Sequence, residues 1–325
     1  MDNRSTRDMC SKTLGSMELD QKIRWIVGLG EALFDCFPDQ RVLGGAPLNV
    51  AFHASQLPVP SNTHALVVSR VGNDAMGEEV LDKLTQQGMS VVGVQVDSLH
   101  ATGTVQVELI QGEPHYQIIE DVAWDYLEWT PALEQIAART SAVCYGSLAQ
   151  RSEVSRSTIE RFLKSAENAV RLFDINLRKP YCDDAILAAS LPQATMIKCN
   201  ADELETLFRL HGRTLPEWKR DEEWLDAIES LRNERGYDAI MVTRGPKGCT
   251  IASSRGGAVG EPCQLEPVPG SDPVGAGDAT AAALMVGWIQ GWPVQQIAHL
   301  ANRLGAFVAS QPGATPRLPQ GWILP

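Results

Sequence analysis

Trp25-Ile26-Val27-Gly28-Leu29 is a short β-rich run, and it opens a rhythm that governs most of the chain. Similar runs follow at 65–71, 142–145, 171–175, 195–199 and 239–243, with longer amphipathic stretches at 74–87, 152–169, 221–235, 276–290 and 294–310. Short strands alternating with helices predict a parallel sheet covered on both faces, hence an open, doubly wound α/β fold. Asp74 stands where a first helical turn takes a cap, and Gly88 and Gly236 stand just past helix ends.

One region breaks the rhythm. Residues 104–110 alternate Val105, Val107 and Leu109 with Thr104, Gln106 and Glu108, and the turn Gln111-Gly112-Glu113-Pro114 leads into 116–119. This pattern predicts a β-hairpin with one apolar face. Such a hairpin covers either a substrate cleft, as a lid, or a second subunit; the plain alternative is an extra edge on the sheet.

Composition narrows the partners. The 325 residues are 44% hydrophobic with a net charge of -12, enough for a large core and unfavourable for binding nucleic acid or anionic membranes. Backbone dipoles and a divalent ion still admit ATP. The seven cysteines are scattered, with no pair at the two-residue spacing of zinc or redox motifs, and the six histidines fall at no ligand spacing. Reduced, core-packing thiols in a cytoplasmic protein are expected. No run approaches the roughly 18 apolar residues of a membrane span. Residues 1–22 are polar, lack the apolar centre of a signal peptide and include a second Met at Met17; a disordered leader is expected there, ahead of a single domain over 23–325.

Two glycine-rich segments carry the chemistry. Asp272-Pro273-Val274-Gly275-Ala276-Gly277-Asp278-Ala279-Thr280 runs into the small-residue helix start Ala281-Ala282-Ala283. Small residues there let an anion approach the free N–H groups and the positive end of the helix dipole, and Asp278 in the first turn is placed to take a proton from an attacking hydroxyl. A plain glycine turn with an ordinary first-turn acid is the competing reading. Gly44-Gly45-Ala46-Pro47-Leu48-Asn49 likewise sets paired glycines before a helix, with the Asn49 amide able to donate to and accept from sugar hydroxyls.

Together, and at the expected ends of the chain, the two segments resemble the two signature motifs of the PfkB (ribokinase-like) carbohydrate kinase family, and the resemblance runs from about Trp25 to the C-terminus. Between them, Asp174, Asn176 and Arg178 resemble the family's Asp-x-Asn-x-Arg, Asn200 and Glu203 its Asn-x-x-Glu, and Thr243, Gly245 and Gly248 its nucleotide-side loop. The resemblance implies a three-layer, ribokinase-like sheet with a small β lid drawn from about 31–45 and 100–125, and an ATP-dependent sugar kinase. It implies Asp278 as the base, Gly275, Ala276 and Gly277 as the anion hole, and Arg178 against phosphate or sugar oxygens. Asn200 and Glu203 would act through water on Mg²⁺ bound to ATP. Thr243, Gly245, Gly248 and Asn302 would lie along the nucleotide, and Asp35, Gly44, Gly45 and Asn49 would hold the sugar. Asp272 resembles the loop that binds a monovalent cation, expected to be K⁺. Pro273 replaces the usual Thr and Thr280 a common aromatic; Pro273 removes an N–H, but none assigned to the anion hole.

Gly30-Glu31, Asp35 and Ala46-Pro47 resemble the bacterial fructokinase branch, which implies D-fructose as acceptor and its 6-hydroxyl as the site of transfer. Trp124 is expected either to close over the sugar or to pack under a loop. A homodimer through the lid is expected. The alternatives are another acceptor, such as ribose or 2-keto-3-deoxygluconate, and a non-catalytic sugar or nucleotide sensor on the same fold. A dinucleotide-binding oxidoreductase is disfavoured, because Leu33 occupies the third position of the glycine pattern begun by Gly28 and Gly30.

Overall fold

A computed structural model describes residues 23–110, 113–216, 221–319 and 321–322. The expected leader and the hairpin turn at Gln111-Gly112 lie outside them. In chain order the first elements are β1 (Arg24–Leu29), β2 (Leu33–Cys36), β3 (Arg41–Gly44), α1 (Ala46–Ser55), β4 (Thr63–Gly72), α2 (Ala75–Gln86), β5 (Val94–Asp97), β6 (Gly103–Ile110) and β7 (Glu113–Ile118). Then come α3 (Pro131–Ala138), β8 (Thr140–Gly146), α4 (Glu153–Ser165), β9 (Val170–Asp174), α5 (Asp184–Ser190), β10 (Met196–Asn200) and α6 (Ala201–Leu210). The chain finishes with α7 (Asp221–Arg235), β11 (Ala239–Thr243), β12 (Cys249–Ser253), β13 (Gly256–Val259), α8 (Ala276–Ile289) and α9 (Val294–Ala309).

Nine strands form the main sheet in the order β13-β12-β11-β10-β9-β8-β1-β4-β5. The pairs from β11 across to β5 are parallel, as the alternating pattern requires, whereas β12 and β13 add antiparallel to one edge. That antiparallel edge is not apparent in the strand–helix rhythm, because Cys249–Ser253 and Gly256–Val259 are short and have no helix between them.

The period of two along each strand divides the core. Ile26, Leu172, Met196 and Met241 cluster with Ala281, Leu284, Leu300 and Leu304 of α8 and α9. Their neighbours Val27, Phe173, Ile197 and Val242 cluster with Ile159 and Phe162 of α4, Leu204 and Leu207 of α6, and Ile228 and Leu231 of α7. The result is helix, sheet, helix in three layers. α8 is apolar around its whole circumference and buried along nearly its full length, as a helix of small residues between sheet and α9 must be. Among the described residues no helix is long and apolar enough to cross a membrane.

The second sheet has the order β3-β2-β6-β7. The hairpin pairs Val105 with Ile118 and Val107 with Tyr116, and β2 joins it through Leu33–Gly103 and Asp35–Val105. Val105, Val107 and Ile118 are buried in the same cluster as Trp124, so this chain covers the hairpin's apolar face at those positions.

Candidate active site

Parallel strands end together, and Asp174 at the end of β9 and Lys198 in β10 act on Asp278 in the first turn of α8, which sets that turn at the carboxyl rim of the sheet, the usual place for a ligand in an open α/β sheet. Gly275 caps α8 with φ +81, and a Cβ there would lie 2.5 Å from the Ala314 carbonyl oxygen, so both conformation and space demand glycine. The carbonyl of Gly275 takes the first helical bond, from the Ala279 N–H at 2.9 Å. None of the earlier first-turn N–H groups bonds within the helix, and that of Ala276 donates to the Pro273 carbonyl at 3.2 Å. His53 fixes the Ala314 wall: its Nε2 lies 2.9 Å from the Ala314 oxygen, and burial pulls its pKa down to about 4.

Asp278 is half-buried in that first turn. Its Oδ2 accepts a 2.8 Å hydrogen bond from Nδ2 of Asn49, so the two glycine-rich segments meet across 229 residues of sequence. Burial first, and then the charge of Asp174, push the Asp278 pKa up to about 6, against the pull of Asn49, Lys198 and Arg178. A carboxylate so tuned is a base near neutral pH.

The segment 44–49 and its surroundings are shaped by glycines. A Cβ on Gly28 would strike the Pro47 oxygen at 1.8 Å, and one on Gly30 would meet Pro47 Cγ at 2.9 Å. These two glycines let α1 approach β1. A Cβ on Gly45 would lie 2.5 Å from the Glu31 oxygen, and one on Gly44 would lie 3.0 Å from Oδ2 of Asp35. Glu31 is buried, and its Oε1 accepts the Ala46 N–H at 3.2 Å. Its Oε2 and the Oδ1 of Asn49 are buried acceptors with no protein donor. Burial raises Glu31 to about 7, with Asp278 adding to the effect and Arg178 opposing it, and burial raises Asp35 to about 6.

Asn200 and Glu203 form a reciprocal cap on α6: the Glu203 N–H donates to Oδ1 of Asn200 at 2.8 Å, and the Asn200 N–H donates to Oε2 of Glu203 at 2.9 Å. The other Glu203 oxygen accepts the Leu177 N–H at 2.8 Å. Glu203 thus ties the turn carrying Asn176, at φ 40, and the exposed Arg178 to the end of β10. Each carboxylate oxygen accepts a single N–H and retains a lone pair for water. At the end of β11, Thr243 Oγ1 donates to the Cys199 carbonyl at 3.4 Å, and Gly245 (φ +56) and Gly248 (φ +83) turn the following loop. Buried Asn302 donates to the Glu261 carbonyl at 2.6 Å, and a Cβ on Gly248 would meet its Nδ2 at 2.8 Å. Asp272 accepts the N–H groups of Val274 at 2.9 Å and Gly313 at 3.3 Å.

Trp124 settles between its two expected roles. It is 1% exposed, a Cβ on Gly103 would strike its Nε1 at 2.2 Å, and the Arg151 guanidinium lies 4.0 Å from its ring centroid. It packs beneath the second sheet and offers no face to a sugar. In the other direction, sequence reasoning passed over Lys198. Its Nζ donates to both oxygens of Asp174, at 2.8 and 3.0 Å, and stands 3.5 Å from where a Cβ on Gly277 would be. The available signal was a lysine in the middle of a buried strand, a placement that requires a partner.

The model of the pfkB family of carbohydrate kinases matches residues 21–321. The chain belongs to the PfkB family. Among curated PfkB relatives, the fructokinase of Salmonella typhimurium is 29% identical over 315 residues, covering 91% of this chain and 95% of the relative. Among solved structures, a fructokinase with bound ATP from Xylella fastidiosa superposes with TM-score 0.76 at 19% identity, covering 91% of this chain and 95% of that one. A 2-dehydro-3-deoxygluconokinase from Thermotoga maritima gives TM-score 0.75 at 17% identity, with the same coverages. The protein is therefore a phosphotransferase acting on sugars, with the ribokinase-like PfkB fold.

Proposed function

We propose that the protein transfers the γ-phosphoryl group of Mg²⁺·ATP to the 6-hydroxyl of D-fructose. The observation carrying this reading is the pair of buried acceptors, Glu31 Oε2 and Asn49 Oδ1, that have no donor beside the Asp278 base. Unpaired buried acceptors are costly, and the hydroxyls of a polyhydroxylated ring would satisfy them while a deoxy position would not. A keto-acid acceptor would bring its carboxylate toward Glu31, Asp35 and Asp278, a poorer match than a neutral ketose. The 29% identity to a fructokinase supports the same choice.

In the proposed mechanism, Asn49 and Asp35 orient the sugar and Asp278 takes the hydroxyl proton. The N–H groups of Gly275, Ala276 and Gly277 receive the phosphoryl oxygens, and Arg178 adds a cation over them. Thr243, Gly245, Gly248 and Asn302 border the nucleotide. Asn200 and Glu203 fit an outer-shell role, because Glu203 retains lone pairs for metal-bound water and its position is fixed by two N–H groups. Mg²⁺, when bound with ATP, neutralises charge on the phosphates. Asp272, held by Val274 and Gly313, would shape a K⁺ site in the adjoining loop. A homodimer through the lid, where Tyr116 is exposed on the same face as its strand partner Val107, completes the reading.

The test is kcat/KM across fructose, ribose, tagatose 6-phosphate, 2-keto-3-deoxygluconate and adenosine, with NMR of the product. Fructose should lead, with phosphate on O6. Another acceptor better by more than about tenfold, which corresponds to 1.4 kcal/mol, or phosphate on O1, would refute the substrate.

A further inference from the structure

We propose that Lys198 is a positioning residue of the transfer step, its ammonium held by Asp174 beneath the first turn of α8 as a fixed positive charge for the phosphoryl group in flight. The inference rests on the kinase reading above and adds a residue to it.

Lys198 is 6% exposed and Asp174 3% exposed, so both charges are out of water. Asp174 is the only hydrogen-bond partner of the Lys198 ammonium among the described residues, and it accounts for two of the three N–H donors. A buried pair is stable only where further hydrogen bonds satisfy its remaining protons and lone pairs, and the two bonds to Asp174 leave one ammonium N–H for another acceptor. Here the ammonium lies 3.5 Å from the point a Cβ on Gly277 would occupy, and glycine at that position leaves no side chain between the charge and the turn. During transfer the sugar oxygen bonds to the γ-phosphorus as the bond to the β,γ-bridging oxygen breaks. The electron pair leaves with ADP, and the hydroxyl proton passes to Asp278. Negative charge on the phosphoryl oxygens is then borne at the helix start, where a preorganised cation in a dry site acts without reorganising.

The same ammonium acts on Asp278. The groups that face this carboxyl are Asp174 from β9, Lys198 from β10, Arg178 from the loop after β9, Asn49 from α1 and Glu31 from the turn after β1. Asp174 disfavours the ionised base; Lys198 and Arg178 favour it.

Two variants separate this role from a structural one. In Lys198→Met, Asp174 loses its counter-ion, and the acid limb of kcat/KM should move to higher pH. In Lys198→Met combined with Asp174→Asn, opposing influences on Asp278 leave together and no buried charge is stranded, so the limb should stay within about half a pH unit while kcat falls about a hundredfold. KM for fructose should change less than about threefold in the double variant, since the sugar contacts remain. Folding is checked by circular dichroism and nucleotide binding by calorimetry. A folded double variant with kcat within about threefold of wild type overturns the proposal. Loss of the fold in both variants assigns the pair to the core and overturns it equally. Absence of turnover in the wild-type protein would instead strike the kinase reading.

Discussion

Asn49 donates a 2.8 Å hydrogen bond to Asp278, joining the helix that follows the double glycine to the helix that follows the anion-hole turn. In the proposed mechanism one amide would serve two ends of the reaction: its nitrogen steadies the base, and its oxygen, buried and without a donor, remains for the acceptor. Replacing Asn49 by Leu should lower kcat/KM for the sugar about 10²-fold, with only a small change in KM for ATP. The bond to Asn49 lowers the Asp278 pKa, so its loss should move the acid limb of the pH profile upward from about 6. An unmoved limb would mean that the bond does not act on the base.

Glu31 makes stability depend on pH. Burial raises its folded pKa from 4.5 to about 7, so the folded state favours the neutral acid, and this contribution is lost as pH rises from the lower value through the higher. The wild-type protein should lose at most about 3 kcal/mol between pH 5 and pH 8 from this group. Glu31→Gln keeps the shape without the titration, and thermal unfolding at the two pH values should show a smaller drop for the variant. Equal drops would count against the buried carboxyl as the cause.

Much of this was legible in the sequence, for reasons that differ by residue. The sheet core followed from period and strand length. The site segments followed from glycines, and the structure shows why they must be glycine: Gly275 faces Ala314, Gly45 faces Glu31, and Gly28 faces Pro47, each with no room for a Cβ. The antiparallel β12 and β13 escaped because two short edge strands carry no alternation with helices. Trp124 was ambiguous because an aromatic beside a lid reads alike whether it covers a sugar or a core; only the Gly103 and Arg151 contacts decide. Lys198 gave only the signal of a lysine within a buried strand, because its significance depends on Asp174, which stands 24 residues earlier and meets it only across neighbouring strands.

Glu203 links metal requirement to loop order. Replacing it by Ala frees the Leu177 and Asn200 N–H groups and removes the carboxylate proposed to hold Mg²⁺-bound water. The Mg²⁺ concentration for half-maximal activity should rise about tenfold or more. An unchanged Mg²⁺ titration would confine Glu203 to its capping role.

Asp272 gives the cation expectation a structural form, since its two oxygens hold the backbone on either side of the loop at Val274 and Gly313. K⁺ should raise kcat over Na⁺ at matched ionic strength, and Asp272→Ala should abolish the difference. Equal rates of the wild-type protein in the two salts would exclude a K⁺ site.

The central claim is that Asp278 is the base, and the most direct measurement is kcat of Asp278→Asn at saturating fructose and ATP, with binding of both ligands followed by calorimetry. Asparagine preserves the shape at the start of α8 and removes only the capacity to take a proton. The predicted result is a fall in kcat of about 10²–10⁴-fold with dissociation constants changed by less than about threefold. A variant that binds both ligands and turns over within about threefold of wild type would contradict the account.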